Sequence, residues 1–409
     1  MPKLLLIAYH FPPLAGSSGI QRTLRFAQHL PKFGWEPIVL TTHPRAYERT
    51  SDDLLRELPP DLCVRRSFAL DTARHLSLFN RYPGFLARPD RWTTWRWSAV
   101  PAALDLIEEH KPRAIWSTYP IATAHEIGAA VHRRTGLPWV ADFRDPMAQD
   151  NYPPDPRVHR AFSRIEKKVF DTAAAAVFTT RGSANIYRRR FPRSPTRVEV
   201  IENGYDEESF AGVDTQVRKP LVPGKITILH SGIIYPSERD PRPFLDALAQ
   251  LTRDKKISDA TLRIRLRASV HEDFLNTEIQ ARSLGDLVEL APPIPYRQAL
   301  QEMTHADALL VMQAENCNEQ IPAKVYEYLR SGRPVLGLTD PRGDTADLLY
   351  RAGLKMIAPL NDAEQIATVL MQLLQKLNAG QIELPDERMV RNASRVGRTE
   401  QLVRLLESL

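Results

Sequence analysis

A chain of 409 residues, 43% hydrophobic and 25% charged, is long enough for two hydrophobic cores and has the balance of an ordinary globular protein. Two cysteines, Cys63 and Cys317, exclude a disulfide framework or a zinc cluster, and no uninterrupted apolar stretch approaches the length that spans a bilayer. The net charge of +6 suits an anionic membrane face or a phosphorylated substrate; zinc-finger spacings, RNP-type aromatic motifs and a helix-turn-helix are missing, so a nucleic-acid partner is not expected.

The first apolar run, 4–8, is too short for the core of a signal peptide and passes straight into His10 and prolines, so a cytoplasmic protein is expected. From there strands alternate with helical segments, the pattern of doubly wound α/β domains with parallel sheets. Strands are predicted near 4–8, 37–41, 114–117, 139–142, 175–179 and 198–201, with helices over 19–32, 100–110, 121–135, 161–172 and 182–191. The turn signal Asn203-Gly204 and a polar stretch to Gly224, with Pro220 and Pro223, then interrupt the pattern. A second series starts at 225–231 and continues through 262–268, 288–290, 308–312, 335–338 and 355–357. The expected division is therefore 1–206 and 207–385. A last segment, 386–409, carries an amphipathic helix with Val396, Leu402, Val403, Leu405 and Leu406 on its apolar face. Ligands of such sheets bind outside the carboxyl ends of the strands, so two facing halves would enclose a cleft.

Candidate binding residues follow strands. After the first comes Phe11-Pro12-Pro13-Leu14-Ala15-Gly16-Ser17-Ser18-Gly19, where Gly16 and Gly19 allow a tight turn that brings backbone N–H groups to a ligand at a helix start. Arg22, one turn inside, is placed to reach an acceptor phosphate, and Arg25 suits a solvated face. Ser117-Thr118-Tyr119-Pro120 ends another strand and either lines the acceptor side or caps a helix. Trp139–Pro146, read W-V-A-D-F-R-D-P, ends a strand in carboxylates; alternation puts Asp142 and Arg144 on one side and Asp145 on the other. In the second half, Ser231-Gly232-Ile233-Ile234-Tyr235 follows a strand and Arg239-Asp240-Pro241 opens a helix. Near the end, E-Q-I-P-A-K-V-Y-E-Y-L-R-S-G-R-P places Glu319 and Glu327 around a predicted helix start with Pro322 in its first position and Gly332 as its stop. A helix N-terminus attracts anions and disfavours cations, so Lys324 in that first turn points to a bound phosphate. Glu327, a turn further in, is placed to accept hydrogen bonds from hydroxyls.

These segments, in this order, resemble the retaining glycosyltransferases of glycosyltransferase family 4. The resemblance implies the GT-B architecture: two doubly wound, Rossmann-like domains facing across a cleft, with the C-terminal helix crossing back to the first. It implies a nucleotide-diphosphate sugar as donor, UDP- or GDP-linked, and a hydroxyl of a glycan or lipid-linked acceptor, in cell-envelope polysaccharide assembly. In the family's pattern Glu319 faces the donor sugar and Glu327 holds the ribose. Gly16 and Gly19 belong to the loop beside the phosphates, and Asp142 or Asp145 stands where members carry a His or Asp facing the transferred sugar. Arg239 and Lys324 neutralise the diphosphate next to Gly232, Pro322 and Ala323; Ile233 stands where the family has an arginine. The loop 291–296 resembles the one that frames the nucleobase. No metal-binding D-x-D occurs, and neither metal nor cofactor is expected. The same fold serves sugar-nucleotide epimerases, and a nucleotide-sugar or glycan-binding protein without turnover is the other alternative.

The segment 88–97, R-P-D-R-W-T-T-W-R-W, interleaves tryptophans with arginines. This composition suits either peripheral contact with the inner leaflet of a membrane or packing beneath a helix.

Overall fold

The computed structural model describes residues 1–17, 19–79, 81–150, 152–213 and 219–409 and divides into two compact units. Unit 1 holds Met1–Glu202 and Arg395–Leu409, and unit 2 holds Asn203–Ser394. The expected loop residue Ser18 and linker positions 214–218 lie outside the described residues.

Unit 1 contains strands β1 (Lys3–Ile7), β2 (Glu36–Thr42), β3 (Cys63–Ser67), β4 (Ala114–Thr118), β5 (Trp139–Arg144), β6 (Ala175–Phe178) and β7 (Arg197–Val200). They form one parallel sheet in the order 3-2-1-4-5-6-7. Helices α1 (Gly19–His29), α2 (Thr72–His75), α3 (Trp95–His110), α4 (Thr123–Thr135), α5 (Pro156–Thr172) and α6 (Arg181–Arg190) connect them. Sheet strands covered on both faces read as continuous apolar runs, and β1 shows why: Leu5 and Ile7 enter one core, Leu4 and Leu6 the other. The strand order reverses between β1 and β4, so their carboxyl ends diverge into the crevice where such sheets take ligands. The sequence reading lacked β3, because C-V-R-R-S is only half-buried and carries two arginines.

Unit 2 repeats the plan with β8 (Ile226–Ser231), β9 (Leu262–Arg267), β10 (Val288–Ala291), β11 (Ala308–Met312), β12 (Val335–Leu338) and β13 (Ile357–Ala358), ordered 10-9-8-11-12-13, all parallel. Its helices are α7 (Arg242–Arg253), α8 (Glu272–Ala281), α9 (Tyr296–His305), α10 (Lys324–Ser331), α11 (Asp344–Arg351), α12 (Ala363–Ala379) and α13 (Glu387–Asn392). The reversal here falls between β8 and β11.

The expected final segment 386–409 splits between the units. Asp386 caps α13 through Met389 N–H, and Val390 and Ala393 pack on the core of unit 2. The last helix, α14 (Arg395–Glu407), belongs to unit 1: Leu402, Val403, Leu405 and Leu406 pack with Phe26, Ala27 and Leu30. Arg398 there pairs with Glu202 at 2.7 Å, both buried. Val390 of α13 is only partly buried on the core of unit 2, whereas α14 buries Leu402, Val403, Leu405 and Leu406 in unit 1.

Candidate functional site

In unit 2, β8 delivers His230, Ser231 and Gly232 to the reversal point. Gly232 has φ of +140°, a backbone conformation that side chains with a Cβ rarely adopt, although open space surrounds the position. The glycine is required by the turn rather than by a neighbour. Ser231 N–H donates to Tyr328 Oη at 2.8 Å, which ties the strand end to α10. The helix begins at Lys324, two residues after the expected Pro322; the preceding turn closes through Val325 N–H to Pro322 O at 3.0 Å. Gly332 stops it in the left-handed conformation, with φ of +69°.

A cavity of about 280 Å³ lies at this point, bounded by His230, Gly232, Arg239, Pro322, Ala323 and Lys324 among others. Val325 and Tyr326 spend their N–H groups on Pro322 O and Ala323 O, at 3.0 and 3.3 Å, so the start of α10 contributes the partial positive charge of its dipole beside the cavity. Arg239 donates Nη1 to Ile233 O, with its guanidinium carbon 5.6 Å from the Tyr235 ring centre. Ile233, where an arginine was expected from the resemblance, thus contributes its carbonyl to orient the remaining one. His230 is buried, and burial first, then Arg239 and Lys324, pull its pKa down to about 4. The ring is therefore neutral near pH 7. Its Nδ1 lies 2.9 Å from Leu310 O, and the Gly232 backbone also borders the ring.

Beside the cavity, Glu327 accepts a hydrogen bond from Tyr296 Oη at 2.7 Å and pairs with Lys324 Nζ at 3.0 Å. Lys324 Nζ also sits 5.2 Å from the Tyr296 ring centre. Tyr296, first residue of α9, had been read only as part of the loop 291–296; its role needs the fold to bring α9 beside α10. Glu319 is exposed, precedes α10, and does not line this cavity.

In unit 1 the loop after β1 turns at Gly16, with φ of +79°, and Ser17 Oγ accepts from the first N–H of α1, that of Gly19, at 3.2 Å. A Cβ on Gly19 would stand 2.3 Å from His10 Nδ1 and 2.9 Å from Arg144 Nη1, so only glycine fits. His10 Nδ1 lies 3.1 Å from Ser17 Oγ, and burial with the nearby Arg144 pulls its pKa down to about 4. A cavity of about 300 Å³ opens here between His10, Gly16, Ser17, Glu48, Arg49 and Trp92. The sequence reading passed over His10 as a site residue; its signal was a histidine directly after the first strand.

Several expectations for this unit are overturned. Asp142, proposed to face a transferred sugar, is fully buried: Arg22 donates Nε to Oδ2 at 2.9 Å and Nη2 to Oδ1 at 2.7 Å, and Thr118 Oγ1 donates at 2.7 Å. Arg22, expected to reach an acceptor phosphate, also donates to Ile201 O at 2.9 Å and Glu202 O at 3.3 Å. Its donors are spent inside unit 1. Arg25 is buried too, paired with Glu57 at 2.6 Å, instead of solvated. Simple alternation along β5 fails because Arg144 adopts φ of +64° and the register shifts between Asp142 and Arg144. Asp145 remains as the exposed carboxylate at that strand end. Surrounding protein raises its pKa, while Arg144 and Arg22 act in the opposite direction. Ser117 does not line an open surface: its Oγ accepts from Trp139 Nε1 at 2.8 Å and lies 2.8 Å from His125 Nδ1, all buried. Of the three tryptophans in 88–97, Trp95 is buried, Trp92 packs on Tyr9 with ring centres 4.7 Å apart, and only Trp97 is exposed. No helix among the described residues is long and apolar enough to cross a membrane.

Comparison with known proteins fits this geometry. Residues 18–204 match the family model of the glycosyl transferase 4-like domain. Among solved structures, Anabaena HepE in complex with UDP superposes with a TM-score of 0.65 at 13% identity, covering 100% of both chains, and HepE has also been solved with UDP-glucose. Sucrose-phosphate synthase from Thermosynechococcus elongatus gives 0.62 at 14% identity, over 100% of this chain and 97% of that one. A protein assigned as UDP-N-acetylglucosamine 2-epimerase from Listeria monocytogenes gives 0.57 at 12%, over 100% and 96%. Curated protein sequences give no match. The matched segment lies in the first half of the chain, and the two-domain α/β fold shared with these structures extends along its whole length.

Proposed function

We propose that the protein transfers a sugar from a nucleotide-diphosphate sugar, UDP- or GDP-linked, to a hydroxyl of a glycan or lipid-linked acceptor, with retention of anomeric configuration. The carrying observation is the cavity at the β8–β11 reversal, where Lys324, Arg239 and the start of α10 converge. Two cations and a helix N-terminus match a diphosphate, and their greatest effect comes as charge builds on the leaving group. The bond between the sugar's anomeric carbon and the diphosphate oxygen breaks, and a bond from that carbon to the acceptor oxygen forms. The acceptor's proton passes to the departing diphosphate.

Glu327, oriented by Tyr296 and Lys324, is the acceptor for ribose hydroxyls. Glu319 contacts the donor sugar by resemblance to the family pattern. Gly16 supplies the positive φ of the loop before α1, and Gly19 keeps the helix start close to His10 and Arg144. The cations do the work a divalent metal would do, so no metal is required. Assembly of cell-envelope polysaccharide on the cytoplasmic side is the setting in which such a reaction fits, and the family resemblance supports it. HepE, of the same fold, has been solved with UDP and with UDP-glucose, which favours a uridine donor as the first to try.

The test is release of nucleoside diphosphate from a panel of UDP- and GDP-sugars, with and without EDTA, and NMR of the product's anomeric centre. Transfer is expected in EDTA, and Arg239→Ala should lower turnover about 10²–10³-fold. Full activity in that variant removes the diphosphate assignment. Exchange of a sugar ring hydrogen with solvent, without an acceptor, would identify an epimerase instead.

A further inference from the structure

Between β3 and α3 the chain makes an excursion that the sheet does not need. Its described residues are a built structure rather than a loose loop. Thr72 donates both N–H and Oγ1 to Arg91 O at 2.9 Å, and Arg91 Nε donates to Asp71 Oδ1 at 3.0 Å. Leu70 N–H donates to Thr94 Oγ1 at 3.0 Å, Ser98 Oγ donates to Phe68 O, and Leu78 and Arg81 bridge in antiparallel fashion. On this frame Phe68, Leu78, Phe79, Tyr82, Phe85 and Trp97 are exposed, Phe79 to 91% and Phe85 to 67%. Single exposed apolar residues are normal, but this stretch concentrates nearly half of the large exposed ones among the described residues, which marks an interaction surface.

Charge selects the partner. From Thr72 to Pro89 the sequence contains Arg74, His75, Arg81 and Arg88 and no aspartate or glutamate. Aromatic side chains flanked by arginines fit the boundary of headgroups and acyl chains, and the absence of carboxylates removes repulsion from an anionic leaflet. We propose that this excursion is a docking surface for an anionic lipid bilayer, entered by Phe79 and Phe85. The tryptophan segment that first suggested membrane contact is largely taken up by the core, and its neighbours carry the surface. The inference rests on exposure and charge alone, and holds or fails independently of the sugar-transfer reading.

Flotation of the full chain with vesicles of phosphatidylcholine, with and without phosphatidylglycerol, tests it. Binding is expected to the anionic vesicles and to weaken with salt. F79D/F85D should weaken it about a hundredfold, since burying each ring contributes roughly a factor of ten, at an unchanged unfolding temperature. R81E, which alters charge alone, should weaken it about fivefold or more. Should F79D/F85D unfold, R81E and W97S keep the test open, because both positions are exposed. Equal binding to neutral vesicles, or binding indifferent to these changes, overturns the proposal. A dimer in sedimentation that F79D/F85D dissolves, with no vesicle binding, also overturns it and gives the surface to a second copy of the chain.

Discussion

Both parallel sheets reverse their strand order beside their first strand, between β1 and β4 in unit 1 and between β8 and β11 in unit 2, yet charged groups near the strand ends meet different fates. In unit 1, Asp142 and Arg22 are turned inward and neutralise each other, fastening α1 to β5 and to the backbone at Ile201 and Glu202. In unit 2, Arg239 and Lys324 line an open cavity. The difference shows that a charged residue at a strand end is not by itself a site. What matters is whether its hydrogen-bonding capacity is already used within the protein.

The buried pair of unit 1 acts first on stability. Asp142→Ala should cost about 3–5 kcal/mol, because it leaves the Arg22 guanidinium buried without its carboxylate. Denaturant unfolding measures this, and a loss below about 1 kcal/mol would show that Arg22 finds water instead. Acid offers a second probe. His125 in unit 1 and His230 in unit 2 are both held near 4, chiefly by burial, against an ordinary value of 6.5. Below pH 6.5 the unfolded chain binds more protons at these rings, so stability should fall between pH 6.5 and 4, by roughly 3 kcal/mol for each ring. Replacing either histidine with asparagine should flatten that limb, and an unchanged slope would locate the acid sensitivity elsewhere. The smallest effect sharpens the contrast: Glu327→Ala should leave unfolding nearly unchanged while weakening UDP or GDP binding by about 1.5–3 kcal/mol, read by calorimetry. Equal affinity in the variant would remove Glu327 from the nucleotide site.

Much of the fold was legible because parallel strands covered on both faces must be continuous apolar runs, as at 4–8, 308–312 and 335–338. The strand β3 escaped because an edge strand need not be apolar on both faces, and Arg65 and Arg66 mask it. The glycines at 16, 19 and 232 were legible for a comparable reason: a turn with positive φ, or a Cβ-sized gap that does not exist, admits little else. Helix α10 was legible through Pro322 and Gly332, to within two residues at its start.

Local chemistry written along the chain therefore determined the two α/β halves, their order, the helix starts and stops, and the stretch around Lys324 and Glu327 as a place for an anion and hydroxyls. Tertiary structure alone decided which charges stay available. Arg22 meets Asp142 across 120 positions of sequence and Tyr296 meets Glu327 across 31, and no local pattern encodes such pairings. The bulge at Arg144 turns one carboxylate inward and leaves the other exposed, a choice made by packing against β6 and α1 rather than by the alternation of the strand itself.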